Sequence, residues 1–109
     1  MDRLFSIIDK TTEESGVRVS VRLDERHPVY QAHFPGHPIT PGAVLLQICE
    51  DLLPDGKLVT EIKSVKFVKP NNPLEHPLLN IRMTTSASIS DFVISDDQDV
   101  IAKIKLLTD

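Results

Sequence analysis

The segment Gln31–Leu53 reads QAHFPGHPITPGAVLLQICEDLL. Its first dozen residues hold three prolines, two glycines and two histidines, and an apolar run follows at once. Proline fixes φ and removes a backbone donor, so Pro35, Pro38 and Pro41 stiffen a stretch that can be neither helix interior nor central strand. Helical order can resume only at its end. Thr40 is a plausible N-cap there, with Pro41 at the first helical position. The run Ala43–Cys49 is apolar around nearly its whole circumference, which predicts a buried helix rather than an amphipathic one. It spans about Pro41 to Leu53 and stops before the turn Pro54-Asp55-Gly56. The first polar residue inside it is Gln47, an amide.

Outward from this segment the chain reads as sheet. Val17, Val19, Val21 and Leu23 alternate with Arg18, Ser20, Arg22 and Asp24, the period of a half-buried strand, after a turn at Glu14–Gly16. Residues 4–12 suit a strand or a short helix, and His27–Pro41 reads as loop. Beyond the helix, Lys57–Lys69 is a strand whose inward parity slips between Ile62 and Val65, which predicts a bulge or two buried faces. Pro70–Pro77 is a loop. Leu79, Ile81, Met83 and Thr85 alternate with polar residues, and Ser90–Ser95 and Val100–Leu107 flank a turn at Asp96-Asp97. One early helix among several long strands predicts an α+β fold, an antiparallel sheet wrapped around a central buried helix.

At 109 residues the chain is expected to form a single domain spanning 1–109, small enough that pairing into a dimer would add to its stability. A net charge of −4 argues against a nucleic-acid binder. The lone cysteine, Cys49, rules out an intramolecular disulfide and suits a reducing compartment. No stretch has the length of a membrane helix and Met1–Thr12 lacks a signal peptide's apolar core, so the expected location is the cytoplasm.

The loop–helix junction carries chemistry. A helix N-terminus presents unpaired N–H groups and partial positive charge, which polarise a thioester carbonyl and stabilise an enolate-like oxygen. Glycine at position 42 lets a ligand approach the backbone closely. Histidine titrates near neutrality and can remove a weakly acidic proton, and a stiff loop holds it in place beforehand. His33 and His37 stand in that loop, whereas His27 and His76 read as solvated. Tyr30 reads as a packing residue that could line a substrate entrance. No two His, Cys or Asp residues are spaced as metal ligands on one element, and no glycine-rich phosphate loop occurs. Neither a metal nor a bound cofactor is expected.

The motif HFPGHPITPG, followed by the apolar helix, resembles the signature of the 3-hydroxyacyl-[acyl carrier protein] dehydratases of the FabZ/FabA type, which have the hotdog fold. EIKSVKFVKPNNPL is similar to that family's next strand and turn. The resemblance implies that His33 is the base that removes the proton alpha to the thioester carbonyl. It implies that the Gly42 N–H polarises that carbonyl, with Phe34, Pro41 and Tyr30 around the substrate. The family's acid falls at Gln47, and an amide can donate a hydrogen bond but cannot deliver a proton. A narrower likeness, to short proteins with glutamine at this place, points to aryl-polyene or flexirubin-type pigment pathways.

Three accounts of Gln47 stay open. His33 serves as base and then as acid while Gln47 orients the hydroxyl; Glu50 or Asp51, one turn on, acts through water; or the protein binds acyl chains without turning them over. The corresponding functions are a dehydratase-like enzyme, a noncatalytic partner subunit, and, less well supported without a carboxylate at 47, a hotdog thioesterase. The partner implied is an acyl carrier protein, strongly acidic, for which Lys63, Lys66, Lys69, Arg82, Lys103 and Lys105 are candidate contacts. The family also implies a homodimer with the site at its interface.

Overall fold

The computed structural model describes residues 4–32 and 39–109, without the side chains of residues 31 and 32. The elements in order are β1 (Phe5–Glu13), β2 (Gly16–Leu23), α1 (Pro28–Ala32), α2 (Gly42–Leu52), β3 (Val59–Phe67), β4 (Leu78–Ser86), β5 (Ile89–Ser95) and β6 (Val100–Thr108). The six strands form one antiparallel sheet in the order β1-β2-β4-β5-β6-β3. This is the α+β arrangement the pattern predicts.

Period-two alternation builds the inner face. Val19, Val21 and Leu23 of β2 point inward, beside Leu79, Ile81 and Met83 of β4 and Phe92 and Ile94 of β5. Val44, Leu45, Ile48 and Cys49 of α2 join them in one apolar cluster, with Leu53 just past the helix end. Burying each such side chain contributes roughly 1.5–3 kcal/mol, so the helix is held by its packing more than by propensity. Gly16 permits the tight start of β2, because a Cβ there would run into the Met83 carbonyl of the neighbouring strand.

The parity slip on β3 is a bulge. Ile62 lies opposite Leu106 and Val65 opposite Ile104, three residues apart on β3 but two on β6, and a second irregularity falls between Val59 and Glu61. The extra residue between Ile62 and Val65 keeps the two on one face, which a regular strand would not.

Three expectations are corrected. The stretch from His27 is not all loop: Pro28 opens α1, and the His27 Nδ1 accepts the Val29 N–H at 3.0 Å, the work of a cap. Thr40 is not the N-cap of α2. Pro41 takes that position in extended conformation, and its carbonyl accepts the N–H groups of Val44 and Leu45. Finally, α2 is amphipathic in the single chain: Ala43, Gln47, Glu50 and Asp51 are exposed along one stripe.

Cys49 sits in the core with no accessible surface, and burial pushes its thiol pKa up from 9.0 to about 12, with a smaller push from the Glu50 charge. The raised pKa means the folded state keeps a proton that the unfolded chain releases. Stability should hold below pH 9 and then fall by up to about 1.4 kcal/mol per pH unit as pH rises toward 12. Urea unfolding across that range checks this, and Cys49→Ala should flatten the slope.

Candidate functional site

The start of α2 is fixed from both sides. Thr40, buried, receives a backbone bond pattern usually found in sheets: its N–H donates to the Asn71 carbonyl at 2.8 Å. Its hydroxyl donates to Asn71 Oδ1 at 2.6 Å. Asn71 Nδ2 donates in turn to the His76 carbonyl at 3.1 Å. One buried asparagine therefore ties the helix entry to the loop that follows β3. Buried polar groups are costly unless paired, so this junction is specific as well as strong.

The helix entry has free donors. The N–H groups of Gly42 and Ala43 have no hydrogen-bond partner among the described residues. Gly42, with Ala43 next to it in the chain, lines a cleft of about 290 Å³ shared with Thr40, Leu45, Phe67, Val68 and Lys69, mostly apolar. Gly42 is needed for packing too, since a Cβ there would stand 2.5 Å from the Phe67 ring. The absence of a side chain lets Phe67, itself 55% exposed, lie over the helix start. Such a site can place a carbonyl oxygen against two amide donors at the positive end of a helix, with an apolar chain beside it.

The remaining residues singled out above divide. His33, Phe34 and His37 lie outside the described residues. Pro41 adjoins the cleft as the residue before Gly42. Gln47 is exposed, and its Nε2 donates to Asp51 Oδ1 at 2.8 Å, one turn on. Glu50 is exposed on the same side. Tyr30 is core: it is 2% exposed, and burial raises its phenol pKa, partly offset by the neighbouring Thr40 side chain. Its hydroxyl lies beside Thr40 but short of hydrogen-bond geometry, and has no partner among the described residues.

His76 is not simply solvated. Its Nδ1 lies 2.6 Å from Asp97 Oδ1, and Asp96 completes a group whose ligand-type atoms lie within 4.8 Å of one another. Spacing along single elements could not reveal this group, which joins two loops. Asp96 Oδ1 accepts the N–H groups of Gln98 and Asp99 and holds the β5–β6 turn. Burial works to raise the Asp96 pKa, but those two N–H bonds and the charges of Lys69 and His76 outweigh it and leave it below its usual value. The cluster thus carries its own cations. Lys69 pairs with Asp99 at 2.7 Å, a hydrogen bond that lifts the lysine's pKa.

Asn71→Ala should lower stability by about 2–4 kcal/mol in urea unfolding, because it orphans the buried Thr40 hydroxyl and the His76 carbonyl. Thr40→Val added to that variant should cost less than about 1 kcal/mol more, the coupling expected of direct partners.

Comparisons with known proteins bear on the family and the fold. The profile of the ApeI-like family, described as the ApeI dehydratase, matches residues 9–105. A 3-hydroxyacyl-[acyl-carrier-protein] dehydratase FabZ of Thermotoga neapolitana is 27% identical, over 94% of this chain and 85% of its own length. The dehydratase heterocomplex ApeI:P of Xenorhabdus doucetiae superposes with a TM-score of 0.80 at 20% identity, covering 94% of this chain and 96% of that one. An uncharacterized protein from Erwinia carotovora subsp. atroseptica follows at TM-score 0.65 and 19% identity, over 95% and 92% of the two chains. The fold is the hotdog fold of these dehydratases, and the chain belongs to the ApeI-like dehydratase family.

Proposed function

We propose that this protein eliminates water from a 3-hydroxyacyl thioester borne on an acyl carrier protein, the activity that names its Thermotoga relative. The observation that carries the reading is the pair of free amide donors at Gly42 and Ala43 beside an apolar cleft. The thioester oxygen accepts from these donors. The His33 imidazole removes the proton alpha to the carbonyl, and the charge passes to the oxygen held at the helix start. Collapse of the enolate forms the carbon–carbon double bond and breaks the C3–O bond. The imidazolium returns its proton to the departing hydroxide, which leaves as water.

Gln47 takes the orienting role. One of its N–H bonds is engaged by Asp51, which leaves the second N–H and the amide oxygen for the substrate hydroxyl. Membership of the ApeI-like family is consistent with acyl chains of the aryl-polyene or flexirubin type. A noncatalytic partner subunit is the second reading. It is favoured by the exposure of Gln47, and a heterocomplex is what the similar Xenorhabdus structure is named as.

His33→Ala should abolish turnover of 3-hydroxyacyl carrier thioesters without loss of folding, while His27→Ala keeps most of it. Gln47→Glu should lower turnover several-fold, because it exchanges a fitted amide for a carboxyl one turn from Asp51. A gain of a hundredfold or more, the scale of restored general acid catalysis, would instead show that the chain lacks an acid. No turnover by the native protein on any chain length favours the partner-subunit reading.

A second subunit fits against β3. This strand ends the sheet, and Leu58, Ile62, Phe67 and Val68, in or beside it, are half of the exposed large apolar side chains among the described residues. An edge with unpaired backbone groups and apolar side chains favours strand pairing with another chain. We take the pairing to be with a second copy. Light scattering should give twice the 12.2 kDa chain mass, and Ile62→Arg should return it to one chain.

A further inference from the structure

Asp96, the first residue after β5, is 7% exposed. Its Oδ1 accepts the N–H groups of Gln98 and Asp99, at 2.8 and 2.7 Å. Its Oδ2 is buried with no hydrogen-bond partner among the described residues. A carboxylate oxygen withdrawn from water is costly unless a donor or a cation meets it. Two further ligand types stand beside it. One atom each from the His76 ring and the Asp96 and Asp97 carboxylates lie within 4.8 Å of one another.

Two of these residues are held before any ligand arrives. His76, in the loop between β3 and β4, donates its backbone N–H to the Asn72 carbonyl at 2.8 Å, and its own carbonyl accepts Asn71 Nδ2 at 3.1 Å. Asp96 donates its backbone N–H to the Asp99 carbonyl at 2.9 Å while its Oδ1 is fixed by the turn. Asp97, with a side chain 63% exposed, has room to adjust. Tetrahedral zinc, with ligands at about 2.0–2.2 Å, sets neighbouring ligand atoms roughly 3.4 Å apart. The 2.6 Å contact between His76 Nδ1 and Asp97 Oδ1 opens by rotation of the exposed carboxylate. No pair has to close by more than roughly 1.4 Å, the difference between 4.8 Å and that separation.

Charge points the same way. Asp96, Asp97 and Asp99 bring three negative charges, and Lys69, bound to Asp99 at 2.7 Å, brings one positive. With a neutral imidazole two negative charges remain, the complement of a divalent cation. Arg18 and Arg82, which share a depression with Asp96, are engaged by Glu13. One imidazole nitrogen with two carboxylates suits zinc, whereas magnesium and calcium prefer oxygen alone. Asp96 and Asp97 also line an open depression of about 230 Å³, which gives an ion a way in and leaves room for water as a further ligand.

We propose that His76 Nδ1, Asp96 Oδ2 and a carboxylate oxygen of Asp97 bind a zinc ion that staples the β3–β4 loop to the β5–β6 turn. The staple bears on the helix start. Asn71 holds both the His76 carbonyl and Thr40, so an ion on His76 braces the residues that lead into Gly42. The ion's work is structural and takes no part in proton transfer.

The test titrates zinc chloride into the chelator-stripped full chain by calorimetry and follows its melting temperature. One zinc per chain should bind with a Kd below about 10 µM. A hundredfold excess over Kd should raise Tm by at least about 5 °C. Magnesium chloride at the same concentration should shift Tm by less than about 1 °C, because the group lacks the oxygen octahedron magnesium demands. His76→Ala and Asp96→Asn should each weaken zinc binding by about tenfold or more, no less than losing a residue that merely supports a ligand. The asparagine Oδ1 still accepts the two turn N–H groups, which keeps the turn. Asp97→Ala alters an exposed side chain, should weaken binding as much, and decides the matter if the other variants fail to fold. His27→Ala controls for loose uptake by histidines elsewhere and should leave affinity as it is. No zinc uptake by the native chain, an equal Tm rise with magnesium, or native affinity in Asp97→Ala would overturn the proposal.

Discussion

Thr40 and Asn71 are both buried, and each is hydrogen-bonded to the other through backbone and side chain. Two polar side chains taken out of water are destabilising unless they find each other, so the chain can close here in essentially one way. That closure sets where α2 begins, because Pro41 and Gly42 follow directly. It also sets where the strand after the helix must end, because Asn71 follows Phe67 by four residues. The free donors of Gly42 and Ala43, the Phe67 ring and the intervening cleft are thereby held at fixed separation. The oxyanion role proposed for these donors needs such prior placement, so that charge is stabilised as it develops rather than after reorganisation.

The sheet supplies the second level of order. Its inner face is nearly continuous aliphatic surface, and the helix covers the middle of it. Its outer face is polar, with the cations of β2, β4, β6 and β3 brought into line by register alone. The two faces converge at the end of β3, where Lys66 faces outward, Phe67 covers Gly42, and Lys69 lines the cleft. A charged outer face and an apolar cleft thus lie within a few residues of one another.

Much of this was legible in the residues. Period-two alternation located β2, β4, β5 and β6, and the three-residue step from Ile62 to Val65 located a bulge. The signature from His33 to Gly42 indicated the fold, and the family profile agrees with it. Misreadings had local causes. Pro28 looked like a loop residue, yet proline opens helices when a preceding side chain caps them, as His27 does. Thr40 looked like a cap, but its hydroxyl is committed to Asn71, thirty-one positions away. The helix looked apolar all round because Ala43 and Leu46 masked the stripe of Gln47, Glu50 and Asp51. Non-local pairs such as His76 with Asp97 leave no trace in spacing along one element. His33 rests on motif alone.

The irregularities of β3 have a consequence for solubility. An exposed, apolar, flat edge strand is a template for cross-β stacking, in which identical segments add one after another without limit. Bulges between Val59 and Glu61 and between Ile62 and Ser64 bend and twist this edge. A regular strand laid against it cannot keep its hydrogen bonds in step along the whole length. Only a strand with matching kinks can, and once it is seated the edge is used up. The extra residues after Val59 and after Ile62 thus make this edge a poor template for endless stacking.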